Sequence, residues 1–312
     1  MENFFETILK HRLAYLYILP AMFGVFLLVF FPFIYGILIG FTDYNLTNFG
    51  GNLIEYFSNL ENYGFDNFYN ILRIINFRDY SNFYFTLTHT VVWTISNLIF
   101  HVSIGVVLAL VLNDATLKGR TVFRILLILP WAIPNYITAL IWRGMFHKQF
   151  GAVNGFLELL GFESISWFTQ PFTSFLANLA TNVWLGFPFM MIIALGALQS
   201  IPKELYEASA IDGSSKWQAF WNVTVPLLRP AMVPAIILGT IWTFNQFNVI
   251  YLVSAGGPDG ATELLITDAY KYAFEQYRYG YAAAYCIIIF AVLLGYGMFT
   301  SRITKATSGA YE

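Results

Sequence analysis

Residues 201–230 read IPKELYEASAIDGSSKWQAFWNVTVPLLRP. Pro202 suits the first turn of a helix, where its missing N–H costs nothing. Leu205, Ala208 and Ile211 then fall near one helical face. Gly213 follows at the point where a helix commonly ends on a left-handed residue. Ser214 or Ser215 is suited to cap a second helix. In that helix Trp217, Phe220 and Trp221 stand at i, i+3 and i+4 and make one apolar face. Pro226 and Pro230 are expected to stop it before the next apolar run. The stretch therefore predicts two short helices with a sharp corner. The aromatic patch on the second calls for cover, from its own protein or from a partner.

What flanks this stretch is apolar. The 312 residues are 58% hydrophobic, 19% aromatic and only 11% charged, with a mean hydropathy of +0.61. Soluble domains carry about 25% charged residues, so a soluble enzyme with a large core is excluded. The runs predict an all-α polytopic membrane protein with about six spans, at 14–42, 86–112, 121–142, 173–198, 231–253 and 282–301, each near the ~20 residues a bilayer requires. Pro130 and Pro134 are expected to kink the third span. The segment 43–85 carries Glu55, Glu61, Asp66, Arg73, Arg78 and Asp79 and reads as a small cap outside the membrane. The opening MENFFETILKHRL is not read as a cleavable signal, because the apolar run after it is too long.

Lysine and arginine set the orientation. With the N-terminus inside, Lys10, Arg12, Lys118, Arg120, Arg124, Lys203, Lys216, Arg229, Arg302 and Lys305 are cytoplasmic, and the outer segments carry fewer basic residues over a greater length. Both termini and the 199–230 loop are thus expected in the cytoplasm. A net charge of −2 gives no indication of nucleic acid. The lone Cys286 excludes an internal disulfide and reads as a small residue packed in a helix. His89 and His101 lack metal-ligand spacing and read as hydrogen-bonded packing residues, so no metal site is expected. No G-x-x-x-x-G-K-[ST] phosphate loop occurs, so if ATP drives the protein another polypeptide must bind it.

Two spans carry polar faces. Asn178, Asn182, Leu185, Gly186 and Phe189 step by three and four along the fourth span, and Gly239, Trp242, Thr243 and Gln246 along the fifth, with Asn245 and Asn248 beside them. Polar groups at membrane depth are costly unless they face a cavity or a partner. Two readings remain open from the residues alone. The faces line a polar cavity for a neutral, hydroxyl-rich solute, or they close a helix–helix interface. Neither face carries an acidic or basic residue, which disfavours an ionic solute.

The loop resembles the conserved cytoplasmic loop of the binding-protein-dependent ABC importer permeases, E-A-A, three residues, G, nine residues, I-x-L-P. Here the match is Glu207-Ala208-Ser209, Gly213 and Val223-Thr224-Val225-Pro226, with conservative changes at Ser209, Val223 and Val225. Asn182 to Met191, Phe244 to Ile250 and Gly256-Gly257-Pro258 resemble the maltose/maltodextrin group of that family, as does Gly64 to Phe68. The resemblance covers most of the chain.

It implies a type I ABC importer permease fold, with 1–312 as one transmembrane permease domain in the cell membrane of a prokaryote. It implies no bond chemistry, and no cofactor in this chain. The implied partners are a second permease subunit, two ATP-binding ATPase subunits and an extracytoplasmic sugar-binding protein. Coupling to the ATPase would fall on Glu207, Ala208, Ser209, Gly213 and Pro226. A sugar site would fall on Asn182, Leu185, Gly186, Phe189, Trp242, Thr243 and Gln246. Phe189 replaces a family tyrosine, Trp242 a phenylalanine, and Thr243 and Gln246 replace asparagines, so the site is expected to be retuned. The rival is a free-standing sugar carrier or channel, which would need its own coupling-ion site or pore. An intramembrane enzyme would need convergent acids, histidines or metal ligands, and no shared face carries them.

Overall fold

The computed structural model describes residues 12–48, 56, 58, 59 and 62–308, with the side chains of 303–308 excepted. Lys10, Glu55, Glu61, the opening residues 1–11 and the side chain of Lys305 lie outside them. The described residues form helices, with a single isolated bridge between Thr42 and Tyr63.

Among the described residues five helices are long and apolar enough to cross a membrane: α1 (Arg12–Gly40), α3 (Phe83–Asn113), α7 (Pro171–Ser200), α9 (Lys216–Phe244) and the Tyr279–Arg302 part of α11 (Tyr279–Ser308). The shorter helices are α2 (Asp66–Leu72), α4 (Arg120–Ala132), α5 (Asn135–Met145), α6 (Ala152–Leu159), α8 (Lys203–Ile211) and α10 (Leu265–Tyr270). Four of the six predicted spans correspond to α1, α3, α7 and α11, and the other two differ in an instructive way.

The third predicted span, 121–142, is a broken pair: α4 and α5 meet at 94°. Ile133 is extended at ψ 136° because the ring of Pro134 disfavours a helical residue before it. Pro130, by contrast, is accommodated inside α4. The fifth, 231–253, ends early at Phe244, and Asn245 and Gln246 leave helical geometry before a short helical segment resumes at Phe247. At its other end α9 begins as far back as Lys216. Pro226 and Pro230 therefore do not stop a helix, as the sequence had suggested. A five-residue π turn at Phe220–Thr224 widens the backbone just ahead of Pro226, relieving the crowding its ring would cause, and Pro230 and Pro234 sit inside the helix.

The chain forms two compact units, one of residues 1–73 and 269–290, the other of 74–268 and 291–312. In the first, the end of α1 is tied to the start of α11. Gly280 N–H donates to Tyr44 O at 2.7 Å and Leu46 N–H to Tyr277 O at 3.1 Å. The amide of Asn67 donates to the carbonyls of Gly40 and Thr42 at 3.2 and 2.7 Å, holding α2 beneath the end of α1. Glycine at position 40 lets the two helices approach, since a Cβ there would lie 3.1 Å from Ala284 N.

The second unit is built on α3 against α7, with α9 packed on both. Its core is Ala109, Leu112, Met190, Met191, Ala194, Leu195, Leu198, Leu228, Met232 and Ala235. A second cluster around Trp93, Leu179, Leu185, Val249 and Val253 joins α3 and α7 to the segment after α9. Cys286 is exposed on α11 rather than packed, a correction to the sequence reading.

Candidate functional site

The two helix breaks face one place. Trp131, Ile133, Pro134 and Asn135 from the α4–α5 corner, and Asn245 and Gln246 from the end of α9, line a single cavity of about 600 Å³ in the second unit. Its remaining wall comes from α7, α9 and one residue of α3. Irregular backbone at membrane depth is tolerated where it is buried in protein or borders a cavity, and both breaks meet that condition. The volume lies within the ~300–1,000 Å³ usual for small-molecule sites.

Side chains satisfy the groups that the second break releases. The indole N–H of Trp93 donates to Thr243 O at 3.1 Å, and the Asn245 amide donates to Ile241 O at 3.1 Å. From there a chain of amides crosses three helices. Gln246 Nε2 donates to Asn182 Oδ1 at 2.8 Å, Asn182 Nδ2 to Asn97 Oδ1 at 2.8 Å, and Asn97 Nδ2 to Trp93 O at 2.8 Å. Asn97 is fully buried and Asn182 nearly so. Buried polar groups joined in this way hold one arrangement firmly, because each lost link strands a partner.

All seven residues assigned to a sugar site, Asn182, Leu185, Gly186, Phe189, Trp242, Thr243 and Gln246, line this cavity. Gly239 and Asn245, named beside them, line it too. Two others from the same helical pattern do not. Asn178 is fully buried and donates to Ser254 Oγ at 2.9 Å, and Asn248 donates to Asn135 Oδ1 at 2.8 Å. Periodicity placed Asn178 on the polar face of α7, but that face extends beyond the cavity and continues against the segment that follows α9.

Sequence reasoning missed His101 and the α4–α5 corner. The His101 ring Nε2 lies 2.9 Å from Asn182 O. A carbonyl only accepts, so Nε2 carries the hydrogen. The ring is seated where a Cβ on Gly186 would otherwise stand, so Gly186 leaves room for the histidine as well as for the cavity. Helical pattern alone had indicated packing for His101, and its own backbone-carbonyl bond fits that, but its place on the cavity wall depends on the α3–α7 register. Trp131 gave no signal beyond its type. Its ring stands 6.1 Å from Phe189, whose ring stands 5.2 Å from Trp242, so three aromatics stand in a row among the lining residues. Among the described lining residues none is Asp, Glu, Lys or Arg.

The 201–230 stretch forms its corner by local rules. Pro202 is extended and precedes α8 rather than occupying its first turn. Gly213 is left-handed at φ +79°, with Gly213 N–H donating to Ala210 O at 3.1 Å and Ser214 N–H to Ser209 O at 3.0 Å, the paired bonds of a Schellman cap. Ser215 then caps α9 reciprocally with Gln218: its backbone N–H donates to Gln218 Oε1 at 2.8 Å, and its Oγ accepts from Gln218 N–H at 3.3 Å. Tyr206 OH and Thr224 Oγ1, 3.0 Å apart, join α8 to α9. Glu207, Ala208 and Gly213 are exposed, and Ser209 and Pro226 half-buried. The rings of Trp217, Phe220 and Trp221 pack on one another, yet Trp217 remains 69% and Trp221 51% exposed. The patch is only partly covered within the chain.

Residues 101–305 match the family model described as "Binding-protein-dependent transport system inner membrane component". The galactooligosaccharides transport system permease protein GanP of Bacillus subtilis is 34% identical over 98% of this chain and 73% of its own length. The maltodextrin transport system permease protein MalC of Streptococcus pneumoniae is 32% identical over 96% of the chain and 70% of its own. The maltose/maltodextrin permease protein MalF of Klebsiella aerogenes is 36% identical over 78% of the chain and 49% of its own. Among solved structures, a chain of a bacterial alginate ABC transporter in complex with an alginate pentasaccharide-bound periplasmic protein superposes with a TM-score of 0.81 at 22% identity, over 98% of both chains. With its loop, its apolar helices and these relatives, the chain is a multi-pass membrane permease and belongs to the inner membrane components of binding-protein-dependent transport systems.

Proposed function

We propose that this chain is the pore-forming subunit of an ATP-driven importer for a neutral oligosaccharide of the maltose/maltodextrin type. The observation that carries the reading is the cavity, which aromatic rings and amides line together and no charged side chain does. A sugar ring has an apolar C–H face and a rim of hydroxyls. Burying the first against Phe189 and Trp242 is favourable, and each hydroxyl taken from water needs a partner such as Asn182, Asn245 or Gln246. Relatives named for maltodextrin and galactooligosaccharide transport support the substrate class.

In this reading residues 1–312 act as one permease domain, paired with a second permease subunit. Both termini and the 201–226 corner face the cytoplasm. Two ATPase subunits bind the nucleotide and engage Glu207, Ala208 and Ser209, with Gly213 setting the turn and Pro226 lying within the helix that leads to the cavity. An extracytoplasmic binding protein delivers the sugar. Helix α9 runs without interruption from the corner at Lys216 to the cavity at Trp242. Displacement at one end is thereby carried to the other. The sugar must contact the outward and inward states differently for alternation to follow.

Purification from the host under mild detergent tests the assembly. The expected result is co-purification of an ATPase and a second permease, with ATP hydrolysis stimulated by loaded sugar-binding protein. A chain that transports sugar without any ATPase would sink the reading.

A further inference from the structure

Between α5 and α7 the chain forms a hairpin, residues 146–173, that takes no part in the cavity. Asn154, in α6, is buried and closes it. Its Nδ2 donates to Lys148 O at 3.0 Å and Ile165 O at 2.9 Å. Its Oδ1 accepts from Ile165 N–H at 3.2 Å and from the Trp167 indole at 2.9 Å. One inward asparagine thus satisfies four groups. The Thr173 hydroxyl donates to Trp167 O at 2.7 Å, which ties the hairpin to the first turn of α7. The rings of Phe146 and Trp167 pack 4.9 Å apart.

The outward side of α6 is apolar. Phe156, Leu159 and Leu160 stand at i, i+3 and i+4, and Leu159 is 85% exposed. Phe150 and Phe162, before and after the helix, are exposed too, as is Phe172 at the start of α7. Glu158 is engaged by the Ser164 hydroxyl. A helix at a water-facing surface turns its apolar stripe to the core and its polar residues out. Here the polar residue is inside and the apolar stripe outside.

We propose that α6 is seated in the bilayer, in the leaflet remote from the 201–226 corner, with phospholipid acyl chains covering its outward side. Helix α7 is 30 residues long, about 45 Å, against a hydrocarbon core of ~30 Å. Its first turn, and the hairpin tied to it, therefore stand near the edge of that core. Interfacial helices rest at that depth with their apolar side among the chains. A protein that docks and leaves is the other occupant. Between visits it would expose four phenylalanines and two leucines to water, which soluble surfaces avoid. Recognition surfaces are also rich in Tyr, Trp and Arg, and none of the six is of those types. Helix α5 runs from the cavity at Asn135 to this hairpin, so the anchor sets the depth of that wall.

Nitroxide labels on the assembled transporter in lipid nanodiscs test this. They are placed on Phe156→Cys, Leu159→Cys and Glu163→Cys, each in a Cys286→Ser background. Collisions with oxygen, which partitions into lipid, should exceed those with a water-soluble nickel chelate at Phe156 and Leu159, and the order should reverse at Glu163. Nickel dominating at both apolar positions overturns the proposal. The unaltered transporter gives a second measurement that no variant can disturb. A phospholipid carrying a diazirine on its acyl chain should leave adducts on residues 150–162, as on the exposed side chains of α1. Adducts on α1 with none on 150–162 overturn it. Loss of the 150–162 adducts when the host's sugar-loaded binding protein is added gives the surface to that partner, and overturns it equally.

Discussion

The cavity and the 201–226 corner are built by opposite means. At the corner the hydrogen bonds that set the turn and the cap run between residues three to five apart, Ser214 to Ser209, Gly213 to Ala210 and Ser215 with Gln218, and Tyr206 with Thr224 spans only 18. At the cavity they run between helices, from Gln246 to Asn182, Asn182 to Asn97 and Trp93 to Thr243, across 64 to 150 positions of sequence. A corner of local bonds keeps its shape while its outer face stays free for a partner. A cavity of long-range bonds holds its shape only while three helices stay in register, so a shift of α9 reaches it directly. In the proposed mechanism the part that is gripped is thus made locally, and the part that responds is made globally.

Substitutions at the two places should separate accordingly. The largest effect is expected at Gly186. A tryptophan there meets the His101 ring and fills the cavity at once, and oligosaccharide uptake into liposomes holding the assembled transporter should be abolished. Normal uptake would remove this face from the site. Next is Glu207→Ala. This side chain is exposed, so stability should change by less than ~0.5 kcal/mol. Sugar-stimulated ATP hydrolysis should nevertheless fall at least about tenfold, and unaltered coupling would argue against the corner as the ATPase contact.

Asn182→Leu comes third. It leaves Asn97 Oδ1 and Gln246 Nε2 without their partner, at a cost of about 1–3 kcal/mol for each stranded group, read as a lowered thermal midpoint together with weaker sugar binding. A drop in binding alone would mean that the network positions ligand without supporting the fold. The smallest effect should come from Ser215→Ala. Loss of one cap costs about 1 kcal/mol, confined to the start of α9, so hydrogen exchange at Gln218 should rise while sugar affinity stays unchanged. A change in affinity would show that the strength of the corner is felt at the cavity.

Much of both regions was legible in the residues. The corner could be read almost entirely, because glycine, serine and glutamine act on their immediate neighbours. Even so, Pro226 was misread as a stop. A π turn is set by how the backbone relaxes around the ring, and proline's presence does not reveal it. For the cavity, helical periodicity selected Asn182, Leu185, Gly186, Phe189, Trp242, Thr243 and Gln246. The same rule also selected Asn178, which points to Ser254 instead. A helical face is a direction, and whether a cavity lies along it depends on the neighbouring helices.

The sequence by itself determined that this is an all-helical membrane chain, with a capped corner and two polar faces. Composition, caps and period depend only on residue type and near neighbours. Tertiary structure alone decided that both polar faces open on one space, that the third and fifth spans break there, and that His101 and Trp131 belong to its wall. The Pro134 signal predicted a kink, but its 94° angle and direction depend on packing. At Asn245 no glycine or proline marks the break. It is sustained by Trp93, 150 residues away from Thr243, and a bond of that span exists only once the helices have come together.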